Sequence, residues 1–441
     1  MHVDAQSQRD LLLLTDRNGA PGLFAHLDRT TTADGCARLR ERFRQPLRDV
    51  AEIGATQESV RFAMRHADWF RAGVEATTAA AVERYMASPI EPVSAEGGMG
   101  ALVERAWVGA RYPELVALAR TGVPAAAFML QSLATIAAAI LREGPPPLLR
   151  ALAAEGASLL DAAPLRPFLA FGGDRLGTTR ALALDAVLRG PAREPLRRAR
   201  AILAELDAIG AMATVTRDLG LVLPEVLDDD APPHLELHGV WHPFVSEPVP
   251  NDLALDGDRR LLFLTGPNMA GKTTYLRAAG VALLLAHLGM GAPAAAMRFT
   301  PMDALVTSLG TEDDVRLGYS YFYAEVRRVR EIAGLLAEGR RCVVLVDEVF
   351  KGTNVMDALD ASRLVLRGFA RRGNALFVVS SHLAELADEL AAEPGVALAC
   401  FEGRLEDGRA TYDYRVRDGV SAQRMGLVLL EEAGVTRLLG T

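Results

Sequence analysis

Cysteine is scarce in this chain of 441 residues, which contains three: Cys36, Cys342 and Cys400. They are odd in number and far apart, unlike the paired cysteines of a disulfide-stabilised secreted domain. No Cys-x-x-Cys pair is present, which argues against a cysteine-based zinc site. We therefore expect reduced thiols in a cytoplasmic protein, and the N-terminus agrees because it lacks the basic and apolar regions of a signal peptide.

The chain also lacks an excess of basic residues. Lys and Arg number 48 against 56 Asp and Glu, and the formal charge is −8. This balance excludes a protein that is basic over its whole surface. It is compatible with a basic face on one part of the surface. Arginines are grouped at 38–48 and at 193–200. Either group is a candidate for DNA phosphate contact, and the alternative is a solvated helix face paired with nearby Glu.

A long hydrophobic run without polar residues is absent as well. The nearest approach, Val123–Leu141, contains Pro124, Gln131 and Ser132 and is rich in Ala rather than Leu. A helix buried inside a helical domain explains this composition better than a membrane span does. We expect no membrane association.

Residues 1–230 are dominated by Ala, Leu and Arg, for example in Glu104–Arg120 and Pro195–Gly210, and strand-like alternation is rare. This composition predicts an all-α domain. The acidic and proline-containing stretch 228–233 predicts a linker to a second domain at 231–441.

After the linker, short apolar runs alternate with helical patterns, which predicts a parallel sheet covered by helices on both faces. The predicted strands are Leu261–Thr265, Cys342–Val346, Ala375–Ser380 and Val396–Cys400. Alternation at Tyr412, Tyr414 and Val416 predicts an antiparallel edge strand. One predicted helix face consists of Val326, Val329, Ala333 and Leu336. The expected fold is multidomain, with an all-α domain followed by an α/β nucleotide-binding domain.

The most specific motif, G-x-x-x-x-G-K-T, follows the first of these strands. It comprises Gly266, Pro267, Asn268, Met269, Ala270, Gly271, Lys272 and Thr273, with Thr274 next. Its glycines allow successive backbone N–H groups to turn toward phosphate oxygens, and the start of the following helix favours the same anion. We expect Lys272 to bind the outer phosphates of ATP and the Thr273 hydroxyl to bind Mg²⁺.

Hydrolysis also requires a metal anchor and a group that orients water. The apolar run Val343–Val346 ends in Asp347 and Glu348, at the strand edge where α/β sheets bind ligands. Asp347 is the candidate Mg²⁺ ligand and Glu348 the candidate for the attacking water. His382, after the next strand, is a candidate for contact with the γ-phosphate or the water, and a structural histidine is the alternative.

Ser320 precedes a predicted helix. Its side chain either caps that helix or presents a hydroxyl to a phosphate, and the residues around it leave both interpretations open.

Several segments, in their order along the chain, resemble the ATPase domain of the MutS family of DNA mismatch-repair proteins. They are GPNMAGKTTYLRAAG, GTEDDVRLGYSYFYAEV, VLVDEVFKGTN, SSHLAEL and the closing YDYRVRDGVSAQRMGLVLLEEAGV. Residues 23–49 resemble the start of the MutS core, or lever, domain. The likeness is strong over residues 240–435 and weak across 60–235.

This resemblance implies ABC-like P-loop ATPase domains that pair head to tail in a homodimer. Each ATP with its Mg²⁺ would lie between one cradle and Ser320 of the partner, and Asn354 and Asp357 would lie at the subunit interface. The resemblance also places His382 at the γ-phosphate. It implies DNA as a partner, together with a repair or recombination protein.

The chain departs from the family pattern in ways that bear on function. We expect the mismatch-reading and connector domains to be missing, since residues 1–22 precede the core-like segment in this sequence, and we expect little room for a β-rich DNA clamp. Ala270 and Lys351 replace a usual Gly and Arg, and Val249 stands where an aromatic residue normally stacks on adenine. We therefore expect a DNA-binding ATPase that prefers branched or non-specific DNA. The alternative is a nucleotide-gated scaffold that binds another protein and not DNA.

Overall fold

The computed structural model describes residues 1–15, 19–71, 75–94, 99–173, 175–310, 321–383, 385–406, 409–421 and 435–439. The chain divides into two compact units. The first consists of Met1–Leu27, Phe43–Gly54 and Asp218–Thr441, and the second consists of Asp28–Arg42 and Ala55–Arg217. The division into functional domains at 1–230 and 231–441 stays a prediction, and the predicted linker at 228–233 lies inside the first unit.

Helices account for most of the regular structure. They are α1 (Ala5–Asp10), α2 (Leu23–Leu27), α3 (Ala33–Arg44), α4 (Val50–Arg65), α5 (Ala67–Arg71), α6 (Ala76–Met86), α7 (Met99–Arg111), α8 (Pro113–Arg142), α9 (Pro147–Leu160), α10 (Arg166–Leu169), α11 (Thr178–Arg189), α12 (Arg193–Asp218), α13 (Lys272–His287), α14 (Tyr321–Ala337), α15 (Val355–Ala370), α16 (Glu385–Leu390) and α17 (Val435–Leu439). The predicted helical stretch Glu104–Arg120 is divided between α7 and α8, because Pro113 lacks an N–H and starts a new helix.

The second unit is built around α8, which packs against α6, α9, α10 and α11. Within the described residues, α8 is the helix that is long and apolar enough to cross a membrane, and half of its most apolar window is buried in the protein. The amide of Gln131, in the middle of α8, donates hydrogen bonds to the carbonyl oxygens of Phe168, Leu169 and Phe171. This polar residue of an apolar helix thus has partners in a packed segment of the same chain, as expected for a helix in a helical domain.

The first unit contains two sheets. Their strands are β1 (His2–Val3), β2 (Glu225–Val226), β3 (Leu235–Val240), β4 (Asn251–Leu255), β5 (Leu261–Thr265), β6 (Ala296–Phe299), β7 (Ala304–Ser308), β8 (Cys342–Asp347), β9 (Ala375–Ser380), β10 (Val396–Glu406) and β11 (Arg409–Asp418). The large sheet has the order β1-β7-β8-β9-β5-β10-β11, and the small sheet has the order β2-β6-β3-β4. The strands β1 and β2 lie in the stretch predicted to be helical. The sequence did not predict them because two-residue strands are too short to show a period.

In the large sheet, every neighbouring pair from β1 to β10 is parallel, and β11 closes one edge antiparallel to β10. The predicted parallel sheet and antiparallel edge strand are therefore confirmed. Alternate residues such as Phe263, Val344 and Phe377 form one core with apolar residues of α14, α15 and α16. The helix α13 packs against β8 and β9. Burial on both faces explains why these strands are continuously apolar.

The predicted apolar face of α14 is partly wrong. Val326 is exposed, whereas Glu325 and Arg328 are buried with Ile332 and Leu336. Arg328 is buried because it pairs with Asp4 at 2.7 Å and donates to the Thr307 carbonyl oxygen. Hydrophobic periodicity does not reveal charged groups that are buried with partners.

His287 at the end of α13 is fully buried and makes the stability of the first unit sensitive to acid. Its Nδ1 donates to the Leu47 carbonyl oxygen at 2.7 Å, and its Nε2 accepts from the Met302 N–H at 3.3 Å. Burial lowers the pKa of His287 from 6.5 to about 3, so below about pH 6.5 the unfolded chain takes up a proton that the folded protein does not.

We therefore expect acid to lower the free energy of unfolding, and His287 to contribute roughly 2 kcal/mol of this loss between about pH 7.5 and pH 5. Urea denaturation of the parent and of His287→Gln, each at pH 7.5 and pH 5, measures this loss of unfolding free energy. The variant should be less stable at pH 7.5 but lose less on acidification. His238→Gln, on the exposed side of β3, is the control. Equal losses in parent and His287→Gln would contradict the assignment.

Candidate functional site

The loop between β5 and α13 has the backbone of an anion cradle. Gly266 and Gly271 have φ values of 138° and 103°, which favour glycine, and a Cβ at Gly266 would lie 2.7 Å from the Phe401 carbonyl oxygen. Met269 also has a positive φ, of 69°, whereas Ala270 does not. The replacement of Gly by Ala at position 270 is therefore compatible with this loop.

The Lys272 side chain folds back over this loop. Its Nζ donates to the carbonyl oxygens of Gly266 at 2.6 Å and Pro267 at 3.1 Å. The residue is buried, and burial lowers the pKa of its ammonium group. The loop thus holds a cation close to its own backbone, where it can meet an anion.

Strand register brings Asp347 to the same place. In the sheet, Asp347 is opposite Ser380, and Ser380 is opposite Leu264 near the end of β5. The Asp347 carboxylate accepts from the Thr273 hydroxyl at 2.5 Å and from the Ser380 hydroxyl. A carboxylate and two hydroxyls from three elements therefore converge, and this set of oxygen ligands fits Mg²⁺.

Glu348 follows directly and has an unusual backbone. Its φ is 63°, and its N–H donates to the Ser380 carbonyl oxygen at 3.0 Å. Its carboxylate lies 3.0 Å from the Lys351 Nζ and 3.7 Å from the His382 Nδ1. The His382 imidazole and then the Lys351 ammonium lower the pKa of Glu348 to about 2, and Glu348 raises the pKa of His382.

The structure thus brings together five of the predicted residues at the carboxyl edge of the sheet: Lys272, Thr273, Asp347, Glu348 and His382. Asn268, Met269 and Thr274 are exposed beside them. Ser320 lies outside the described residues. The roles assigned to these residues from sequence stay predictions. The chain has two lysines, Lys272 and Lys351, and both are at this site.

A cavity of about 320 Å³ opens beside the cradle. It shares Met269, Gly271 and Thr274 with the cradle. The remaining lining residues come from β3, β4, α13, β10, β11 and the segment after β3: Val240, Trp241, His242, Val245, Glu247, Pro248, Val249, Asn251, Tyr275, Ala278, Phe401 and Tyr414.

Outside the cradle, Val249 is the lining residue that the sequence had related to the adenine base. Sequence reasoning missed Tyr414 as a lining residue, although it had placed Tyr414 on the edge strand. It also missed Ser380 as a partner of Asp347, because a serine at a strand end carries no distinctive pattern.

The two arginine groups are largely occupied by ion pairs within the described part of the chain. The pairs are Arg38 with Glu41 and Glu205, Arg42 with Glu205, Arg48 with Asp303, Arg197 with Glu194, Arg198 with Glu155, and Arg200 with Asp34. Phosphate contact by these arginines would have to compete with carboxylates already in place.

The C-terminal part of the chain also matches a known protein family. Residues 262–438 match the family model described as MutS domain V. The match begins in β5, and it includes the cradle, Asp347, Glu348 and His382. Domain V is the ATPase domain of MutS proteins. Residues 262–438 of this chain are therefore similar to domain V of the MutS family.

Proposed function

We propose that this protein is a cytoplasmic, Mg²⁺-dependent ATPase of the MutS type that acts on DNA as a homodimer. The observation that carries the ATPase proposal is the convergence of Lys272, Thr273, Asp347 and Glu348 at one sheet edge, around a glycine-containing loop. A cradle alone only binds nucleotide, whereas a cradle beside an Asp–Glu pair can also hydrolyse it.

Each residue has a role that follows from its contacts. Backbone N–H groups of the cradle and the Lys272 ammonium would bind the phosphates of ATP. Thr273 and Asp347 would hold Mg²⁺, which neutralises phosphate charge when bound, and Ser380 keeps the Asp347 carboxylate oriented. In this role Ser380 acts through Asp347 and is a positioning residue.

Glu348 is the residue that we assign to orienting the attacking water. Because its pKa is about 2, its carboxylate is ionised at neutral pH and is a weak proton acceptor. It is therefore suited to orient a water molecule by accepting a hydrogen bond. His382, whose imidazole lies beside this carboxylate, would contact the γ-phosphate or the same water.

The cavity beside the cradle is the proposed site of the adenine base. It is continuous with the cradle through Met269, Gly271 and Thr274, and the ring of Tyr414, which is 46% exposed, offers aromatic surface. Aromatic rings bind a base by stacking. This assignment supplies the aromatic group that is absent at Val249.

Pairing of two ATPase domains is proposed from the family resemblance and is supported by the surface of α15. The apolar side chains of Val355 and Met356 are 69% and 66% exposed, next to Asn354 and Asp357. Exposed apolar residues beside a nucleotide site favour a protein interface. We propose that ATP binding closes the dimer, with Ser320 of the partner at the phosphate, and that hydrolysis opens it.

DNA is the proposed partner, and a protein-binding scaffold is the second candidate. The second candidate is favoured by the ion-paired arginines and the net charge of −8. In either case the nucleotide cycle is the same, so ATP hydrolysis does not discriminate between them.

Binding of linear, mismatched and junction DNA, measured by fluorescence anisotropy with a non-hydrolysable ATP analogue, separates the two candidates. We expect binding at low salt that weakens steeply as salt rises, because phosphate contacts release counterions. We also expect junction DNA to stimulate Mg²⁺-dependent ATP hydrolysis most. Absence of binding to every DNA at low salt would leave the scaffold as the better proposal.

A further inference from the structure

The segment that follows Asp347 is held in an unusual conformation. Glu348 and Phe350 have φ values of 63° and 61°, in the left-handed region that non-glycine residues rarely adopt. Such residues persist only where surrounding contacts hold them, and they occur frequently at functional sites. We call residues Glu348–Gly352 the base loop.

Besides the hydrogen bond from the Glu348 N–H to Ser380, the base loop has contacts with the first turns of α14. The carboxylate of Glu325 accepts from the N–H of Lys351 at 3.0 Å and from the N–H of Gly352 at 3.1 Å. The ring of Phe322 lies 5.6 Å from the ring of Phe350, which is 4% exposed. One helix therefore contacts Phe350, Lys351 and Gly352, the last three residues of the base loop.

The Glu325 carboxylate lies in a position where its charged form is unfavourable. It is 6% exposed, and burial raises its pKa, as does the nearby charge of Glu348. An aliphatic residue would pack here without that electrostatic cost. Glu325 thus differs from an apolar core residue in one respect. Its two carboxylate oxygens accept hydrogen bonds from backbone N–H groups.

The base loop also determines where the Lys351 ammonium lies. The backbone N–H of Lys351 is bound to Glu325, and its Nζ is bound to the Glu348 carboxylate at 3.0 Å. A shift of α14 would therefore move the Lys351 backbone and change the surroundings of Glu348. The helix begins at Tyr321, directly after Ser320 in the sequence.

We propose that Glu325 and Phe322 are positioning residues for ATP hydrolysis, which hold the base loop so that Glu348 is aligned for the attacking water. The inference rests on the proposed ATPase function. It assigns to α14 a role in turnover rather than in nucleotide binding, because the contacts described for Glu325 and Phe322 are with the base loop.

Glu325→Ala removes both acceptors, and Glu325→Gln keeps one. We expect kcat to fall by about 100-fold in the first, since a small misplacement of a reacting group has effects of this size, and by less in the second. KM for ATP and the affinity for a non-hydrolysable analogue should change less than about twofold. Phe322→Leu should also lower kcat. Glu331→Gln, on the same helix but 52% exposed, is the control and should keep parental kinetics.

The two lysines permit a test that does not depend on turnover. Protein labelled with [¹³Cε]lysine gives one signal from Lys272 and one from Lys351, and Lys351→Met assigns them. We expect Glu325→Ala to shift the Lys351 signal and leave that of Lys272 in place. Glu331→Gln should shift neither.

Parental kcat in Glu325→Ala, or an unmoved Lys351 signal, would overturn the inference. So would a fall in kcat matched by an equal fall in analogue affinity, which indicates general damage to the site. A parent that hydrolyses no ATP would overturn the proposed function instead, and the lysine signals would still show whether Glu325 holds the base loop.

Discussion

Glu348→Gln is expected to bind Mg·ATP with parental affinity and to lose turnover, with kcat lower by about 100-fold or more, because the neutral amide no longer presents the charged acceptor that orients the attacking water. The substitution keeps the size of the side chain and removes its charge. The backbone strain at φ 63° is unchanged, because Glu and Gln tolerate this conformation equally poorly. The effect should therefore fall on the chemical step.

Steady-state hydrolysis and equilibrium binding of a fluorescent ATP analogue measure these two quantities separately. Glu338→Gln provides a matched control, because Glu338 is an exposed carboxylate paired with Arg340. If Glu348→Gln hydrolysed ATP at the parental rate, another group would have to orient the water. If it lost analogue binding as well, Glu348 would belong to the binding determinants instead.

Lys272→Met is expected to weaken the binding of ATP by about 100-fold or more, which corresponds to about 2.7 kcal/mol. The loss has two sources. The variant lacks the cation for the outer phosphates, and the carbonyl oxygens of Gly266 and Pro267 lose their donor. Methionine retains most of the volume of the lysine side chain, so the buried position remains filled.

Isothermal titration with ATP and Mg²⁺ gives the affinity directly, and thermal unfolding without nucleotide checks that the fold is retained. Arg330→Ala removes one exposed cation from α14 and should bind ATP like the parent. Unchanged affinity in Lys272→Met would show that the cradle backbone alone binds the phosphates.

Much of the sheet was predictable because its strands are buried on both faces. The continuous apolar runs at β5, β8, β9 and β10 and the alternation at β11 are local patterns, and each became a strand in the predicted arrangement. Boundaries were less predictable. The composition of Glu104–Arg120 is typical of one continuous helix. The structure has two helices, α7 and α8, because Pro113 lacks an N–H and starts a new helix.

Buried polar residues were the main source of error. The predicted face of α14 consisted of Val326, Val329, Ala333 and Leu336. Leu336 is buried, but Val326 and Ala333 are exposed, whereas Glu325 and Arg328 are buried. Their burial depends on partners that are distant in sequence, Lys351 and Asp4 respectively. A hydrophobic period contains no information about such pairs.

The arginine groups show that the same limit applies to predicting function from sequence. Arg200 and Arg38 are prominent in a basic sequence context, and each was a candidate for DNA contact. In the folded second unit they are bound to Asp34 and Glu205, which are more than 160 positions away in the sequence. The prediction of DNA binding by these groups therefore depends on whether phosphate can displace a carboxylate.

The amino-acid sequence alone was sufficient to identify the cradle at 266–273, the acidic pair 347–348 and the helix that follows the cradle. These features are contiguous, and their chemistry follows from residue types at fixed spacing. The folded chain was needed to show that β9 lies between β8 and β5, so that Ser380 orients Asp347. It was also needed to show the cavity at Tyr414 and the hold of Glu325 on the base loop. Those contacts join residues far apart in sequence, and strand order and helix packing bring them together.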